Sequence, residues 1–183
     1  MRSGWFSAAA ALAFLAGGGQ ALASGPALVF DPSDGKVLYA EDADDHWHPA
    51  SLTKIMTAYV TFDALKSGKL TLEQRIPYSA RAQSQPPSKL GLHVGATLTV
   101  DQALKALIIK SANDVAVMLA EAIDGSQPEF VARMNRTAQR LGMTRTVFVN
   151  PNGLPAPEQV TTARDLAKLA RAAIKDYPEH MAY

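Results

Sequence analysis

Two residues near the start of the chain have the types and the spacing for covalent catalysis. In Pro49-Ala50-Ser51-Leu52-Thr53-Lys54-Ile55-Met56-Thr57 a serine and a lysine stand three positions apart. Leu52, Ile55, Met56, Tyr59, Val60 and Leu65 recur at mostly helical spacing, which predicts a helix starting at Ser51. Three positions along a helix share one face, so the Ser51 hydroxyl and the Lys54 amine can meet one turn apart. A serine hydroxyl is a poor nucleophile until a base takes its proton. A neutral lysine amine is such a base when desolvation or a nearby cation lowers its pKa. An isolated S-x-x-K is far more often a capping serine and a solvated lysine, so its position and company must decide.

The second stretch is Lys110-Ser111-Ala112-Asn113-Asp114. Thr99 and Gln102 form a T-x-x-Q capping box ahead of an apolar stripe at Ala103, Leu104, Leu107 and Ile108. The stripe halts at Ser111 and resumes at Val115, Val117, Met118, Leu119, Ala122 and Ile123. Serine and asparagine compete with the helical backbone for hydrogen bonds, so the cluster suggests chain turned aside to present side chains. One long helix with a polar face through Ser111 and Asn113 fits the same spacing. His46 and His48 flank Trp47 as an i,i+2 pair, but no third ligand is spaced to join them, and they read as surface histidines. No metal and no cofactor is expected. The absence of cysteine excludes disulfides, thiolate catalysis and cysteine metal sites.

The elements that must position these residues alternate short β-prone runs with amphipathic helices. Ala27–Phe30 and Lys36–Ala40 flank Asp31-Pro32-Ser33-Asp34-Gly35 and predict a hairpin. Polar chain from Glu41 to His48 then leads to Ser51. The first helix should end at Lys66-Ser67-Gly68, where glycine suits a left-handed terminus. Leu70–Ile76 is β-prone, Ser79–Lys89 reads as irregular loop, and Leu92–Leu98 as extended. Ser126 with Glu129 opens a helix running to Leu141, and Thr146–Val149 is β-prone. Asn150-Pro151-Asn152-Gly153-Leu154-Pro155 is rich in turn formers. Thr162 with Asp165 starts a last helix through Leu166, Leu169, Ala170 and Ile174, stopped at Pro178.

Met1–Ala23 has the layout of a secretory leader. Arg2 supplies the positive end, Trp5–Ala16 an apolar run, and Ala21-Leu22-Ala23 a small-residue cleavage site. Export to the periplasm or cell envelope follows. Gly17-Gly18-Gly19-Gln20 interrupts the run short of the ~20 residues of a spanning helix. With 18 basic residues, Arg2 included, against 17 acidic ones, the exported part is neutral and carries no nucleic-acid footprint. The fold class expected is α/β in the mixed α+β sense, helices packed on an antiparallel sheet. Strand-like material is too scarce for a stable sheet, so residues 24–183 are expected to be the N-terminal portion of a longer domain.

Together, S-x-x-K at a helix start, Ser-x-Asn about sixty residues on, a preceding hairpin and a leader resemble the penicillin-binding active-site-serine enzymes. The resemblance is closest to low-molecular-mass D-alanyl-D-alanine carboxypeptidases of the S11 peptidase type. It covers roughly residues 27 to 175, including Asp34-Gly35-Lys36-Val37-Leu38-Tyr39, Pro49–Lys54, Thr99-Val100, Ser111–Asp114, Asn152-Gly153-Leu154 and Thr162–Leu166. It implies a β-lactamase/transpeptidase-like fold whose C-terminal strands are absent from this chain. It also implies that Ser51 attacks the penultimate D-alanine carbonyl of a peptidoglycan stem peptide, with Lys54 as proton acceptor. Ser111 would pass the proton to the leaving amine, Asn113 would hold Lys54 or the substrate backbone, and the Ser51 N–H would be one oxyanion donor. β-Lactams would trap the same serine, and sequence beyond Tyr183 could add membrane or cell-wall association.

The third element of that family, Lys-Thr/Ser-Gly on a late strand, is missing. Lys66-Ser67-Gly68 matches it literally but precedes Ser111 and reads as a helix terminus. Ala112 stands where the family often has glycine. A class A β-lactamase shares Ser51, Lys54 and the Ser-x-Asn spacing but needs a deacylating glutamate four residues before an asparagine. Glu158 is followed four positions on by Thr162. A catalytically silent, exported cell-wall-binding module is the alternative from another class.

Overall fold

The computed structural model describes residues 25–183, so the leader read at Met1–Ala23 lies outside the described residues. The order is β1 (Ala27–Phe30), β2 (Val37–Glu41), α1 (Thr53–Lys66), β3 (Arg75–Pro77), α2 (Ala80–Gln83), β4 (Thr97–Thr99), α3 (Val100–Ile109), α4 (Asn113–Asp124), α5 (Gln127–Arg140) and α6 (Ala163–Asp176). Single 3-10 turns lie at Ala50–Leu52 and Pro178–His180. The architecture is mixed α+β, with each strand pair antiparallel: β1 with β2 and β3 with β4.

The β1–β2 hairpin forms where the turn residues put it. Asp31 Oδ1 accepts the Ser33 N–H at 2.8 Å and Asp34 Oδ1 accepts the Lys36 N–H at 2.7 Å, so the aspartates close the turn with their own side chains. Other β-prone runs shrink. Leu70–Ile76 contributes strand only from Arg75, and Leu92–Leu98 only from Thr97. Thr146–Val149 forms no strand beyond a single bridge between Val147 and Val160. Its neighbouring N–H groups are taken by side chains: Asn135 Oδ1 accepts from Phe148 and Gln159 Oε1 from Val149, which removes the need for a second strand. Ser79–Lys89 is not all irregular either. Ser79 Oγ accepts the Ala82 N–H at 3.0 Å and seeds the one-turn α2.

Helix α1 is the centre of the molecule. It buries Met56, Ala58, Tyr59, Val60, Phe62 and Ala64, together with Thr57 and Thr61, so that only Ile55, Asp63, Leu65 and Lys66 along it keep appreciable exposure. Helices α3, α4, α5 and α6 surround it. The buried threonines satisfy themselves on backbone, Thr57 donating to Pro151 O at 2.6 Å and Thr61 to Thr57 O at 2.8 Å. Each large apolar side chain fully buried here stabilises by roughly 1.5–3 kcal/mol, which fixes the helix that carries the S-x-x-K pair. Gly68 takes the left-handed conformation after α1 at φ 72°, so Lys66-Ser67-Gly68 is a helix terminus.

The chain between Thr99 and Asp124 is two helices, not one. The capping box at Thr99 and Gln102 opens α3, which ends at Ile109. Ser111 is left-handed at φ 57°, and α4 restarts at Asn113. The Asn113 N–H, which a continuous helix would pair internally, donates instead to Ser88 O at 2.7 Å.

Candidate active site

Ser51 sits exposed in the 3-10 turn that leads into α1, and Lys54 lies one turn below it, buried at 6% exposure. Ala50, just before the serine, is left-handed at φ 46°, a conformation that costs a non-glycine residue about 1–2 kcal/mol. Lys54 Nζ donates to Asn113 Oδ1 at 2.8 Å and to Asn152 O at 2.7 Å, and reaches Ser51 Oγ at 3.5 Å. Burial pushes its amine down to about 8. The contact geometry assigns the lone pair. A cationic lysine has three N–H donors for these three oxygens, whereas a neutral one keeps two, which the two short acceptors claim. The remaining position, the lone pair, then faces the Ser51 hydroxyl.

Each partner is held in turn. Asn113 is the first residue of α4, and its Nδ2 donates to Pro86 O at 3.1 Å and Pro87 O at 3.2 Å, so its Oδ1 must face Lys54. Asp114 beside it is wholly buried and accepts from Tyr78 Oη at 2.7 Å, Leu90 N at 2.8 Å and Gly91 N at 3.1 Å. Tyr78 is pushed up to about 12, first by burial and then by this carboxylate. The pair Asn113-Asp114 therefore ties residues 86–91 down as one wall of the site. Ser111 lines a mostly apolar cleft of about 490 Å³ together with Ser51, Lys54, Ile55 and Leu107. Among the described residues it makes no hydrogen bond to Ser51 or Lys54. The left-handed turn at Ser111 is what brings it to the cleft instead of to a helix surface.

Spacing did not reveal the second clamp. Residues 150–154, read from sequence as a turn and as part of the family resemblance but with no partner in the site, supply the Asn152 carbonyl to Lys54. Gly153, at φ 83°, packs so closely on the turn carrying Ser51 that a Cβ there would fall 1.8 Å from Ala50 O. Asn152 Nδ2 also donates to Gln85 Oε1 at 2.9 Å and joins this clamp to the 86–91 wall. The signal available was the density of turn formers. Its contact partner was not available, because backbone carbonyls carry no residue type. Glu158 is exposed and has no hydrogen bond to Ser51 or Lys54 among the described residues, so the β-lactamase alternative gains nothing here. His46 and His48 are exposed, with His48 Nδ1 2.8 Å from Gln159 O, and no cluster of metal-ligating side chains occurs among the described residues. No described helix is long and apolar enough to cross a membrane.

The chain as a whole is similar in sequence and fold to known proteins. D-alanyl-D-alanine carboxypeptidase DacC of Escherichia coli (strain K12) is 42% identical over 161 residues, 85% of this chain and 40% of that protein. The crystal structure of D-alanyl-D-alanine carboxypeptidase DacD from Francisella tularensis superposes with a TM-score of 0.81 at 40% identity, over 83% of this chain and 37% of that one. Penicillin-binding protein D2 from Listeria monocytogenes, in its ampicillin-bound form, matches with a TM-score of 0.70 at 31% identity, over 84% of this chain and 62% of that one. The chain thus spans 40% of the length of its Escherichia coli relative. The profile of the peptidase S11 family, described as D-alanyl-D-alanine carboxypeptidase, matches residues 7–183. With α1, the Ser-x-Asn turn and the 150–154 loop converging on one buried lysine, this chain belongs to the peptidase S11 family.

Proposed function

We propose that this chain carries the acylation centre of an exported, penicillin-sensitive serine D-Ala-D-Ala carboxypeptidase acting on peptidoglycan stem peptides. In this reading, residues 1–23 are a cleaved leader and residues 24–183 the N-terminal portion of the peptidase domain. Neutral Lys54 takes the Ser51 proton as Oγ bonds to the penultimate D-alanine carbonyl carbon. The Ser51 N–H, in a first helical turn without an internal acceptor, donates to the oxyanion. The C–N bond to the terminal D-alanine then breaks, and Ser111 relays the proton from Lys54 to the departing amine. Water attacks the ester, Lys54 receives its proton, and Ser51 regains its hydrogen as the shortened peptide leaves. Asn113 keeps Lys54 in place and offers its amide edge to the substrate. No cofactor and no metal enters these steps.

The observation that carries the reading is the Lys54 contact set: two short acceptors and one serine, with burial holding the amine at about 8. The relatives' names supply the substrate class, and ampicillin bound to the Listeria protein supports trapping by β-lactams. The test is intact-mass analysis of the full-length protein after exposure to a penicillin, with peptide mapping and with D-alanine release from a peptide ending in D-Ala-D-Ala. One adduct on the Ser51 peptide, abolished in Ser51→Ala together with D-alanine release, is the expected result. An adduct on Ser111, or D-alanine release that survives Ser51→Ala, overturns the assignment.

A further inference from the structure

Gln159 is an amide buried to 2% exposure in a stretch with no regular secondary structure. A buried amide must find partners for both of its ends. All partners of the side-chain amide lie within one short segment. Oε1 accepts from Val149 N at 3.0 Å and Asn150 N at 3.1 Å, while Nε2 donates to Asn150 Oδ1 and Leu154 O, each at 3.3 Å. Asn150 Oδ1 also accepts the Gly153 N–H at 2.7 Å, so the grip of Gln159 passes directly to that glycine. The segment gathered in this way is the one that places Asn152 O on Lys54 and Gly153 beneath the Ala50–Ser51 peptide. Gln159 itself touches neither Ser51 nor Lys54.

We propose that Gln159 is a positioning residue for acylation, its amide holding the 150–154 loop at the depth where Asn152 O closes over Lys54 and Gly153 seats the backbone of Ser51. This rests on the roles assigned above to Ser51 and Lys54. Turn-rich loops have few backbone bonds of their own, so one buried side chain that satisfies both ends of such a loop sets its position. Removing the amide leaves two N–H groups, the Leu154 carbonyl and the Asn150 side chain without that partner. The loop then relaxes toward water, and Lys54 is hydrated. The groups facing Lys54 are the Ser51 hydroxyl, the Asn113 amide and the Asn152 carbonyl, with His180 and Tyr183 lining the same cleft. Asp114 turns its carboxylate away, to Tyr78, Leu90 and Gly91. Since burial is what lowers the amine to about 8, hydration returns it toward 10.5 and reduces its neutral fraction.

The experiment compares the full-length protein with Gln159→Met, which keeps the side chain's bulk, and Gln159→Glu, which keeps the two bonds accepted from Val149 and Asn150. Three quantities are read: the thermal melt, the rate of penicillin labelling at Ser51 against pH, and the pH midpoint of Lys54 acetylation by mass spectrometry. For Gln159→Met, Ser51 labelling near neutral pH falls roughly 10²-fold, as expected of a misplaced reacting group, and the Lys54 midpoint moves upward. Gln159→Glu lies between it and the parent. A role limited to stability would lower the melting temperature and leave the Lys54 midpoint where it was. A folded Gln159→Met with parental labelling and midpoint overturns the proposal. Should that variant not fold, parental values in Gln159→Glu overturn it equally. Penicillin failing to label the parent would sink the catalytic assignment instead, and the Lys54 midpoint would still decide the role of Gln159.

Discussion

At the scale of the residue, the proposed acylation turns on the protonation of one amine. With the Lys54 amine held near 8, roughly a tenth of it is neutral at pH 7, and acylation should climb with pH to a plateau above 8. The linked stability effect has a definite sign. A lysine held below its unfolded range binds fewer protons when folded, so its cost is full below about 8 and is relieved as pH rises toward 10.5. Lys54→Arg keeps the charge but offers no neutral amine, so penicillin labelling of Ser51 should fall by ~10²–10⁴ and lose its rise near pH 8. Stopped-flow labelling across pH checks this, and a near-parental rate would remove Lys54 as the base. Ser111 gives a test with two opposed readouts. Its φ of 57° strains any side chain, so Ser111→Gly should stabilise the fold by about 1 kcal/mol while slowing D-alanine release. A faster enzyme, or a lower melting temperature, would contradict the proton-relay assignment or the strain argument respectively.

At the scale of the element, the start of α4 acts as a fastener. Asn113 and Asp114 between them bind backbone groups of Pro86, Pro87, Ser88, Leu90 and Gly91, and so hold an irregular loop against the lysine. Asp114 Oδ2 takes three donors and Oδ1 the Val115 N–H, so both of its oxygens must accept, as an ionised carboxylate does. In Asp114→Asn the amide has one oxygen for both sides, so its NH₂ faces either the Leu90 and Gly91 N–H groups or the Val115 N–H, donor against donor. The variant should lose about 2–3 kcal/mol in denaturant unfolding. Hydrogen exchange at Leu90 and Gly91 should quicken as well. Unchanged exchange at those two amides would show that other contacts hold the wall.

At the scale of the whole molecule, burial is uneven. The helices around α1 close a dense core, whereas the β1–β2 hairpin leaves Val29 52%, Leu38 62% and Tyr39 51% exposed. A two-stranded sheet with apolar side chains in water and open backbone edges invites pairing with other chains. Prepared as these 183 residues, the protein should therefore associate with rising concentration, and Leu38→Lys should weaken that association. Light scattering over a concentration series measures it. A monomer at every concentration would show that the exposed hairpin is not a sticking surface.

Sequence alone determined whatever depends on local pattern. The hairpin followed from Asp and Gly between β-prone runs, the openings of α3, α5 and α6 from Thr99, Ser126 and Thr162, and the end of α1 from Gly68. Spacing put Ser51 and Lys54 on one face because three residues make nearly one helical turn. It left the break at Ser111 undecided, since a polar face and a turned chain share one pattern until long-range partners choose. Ser88 O, claiming the Asn113 N–H, is such a partner, distant in sequence and carrying no residue type. The same reason hid the role of Asn150 to Leu154, where a main-chain carbonyl and a missing Cβ meet Lys54 and Ala50 across the fold. Side-chain chemistry is written in the residue letters. Which backbone groups a folded chain brings to that chemistry is decided only when α1 is buried and the loops close over its first turn.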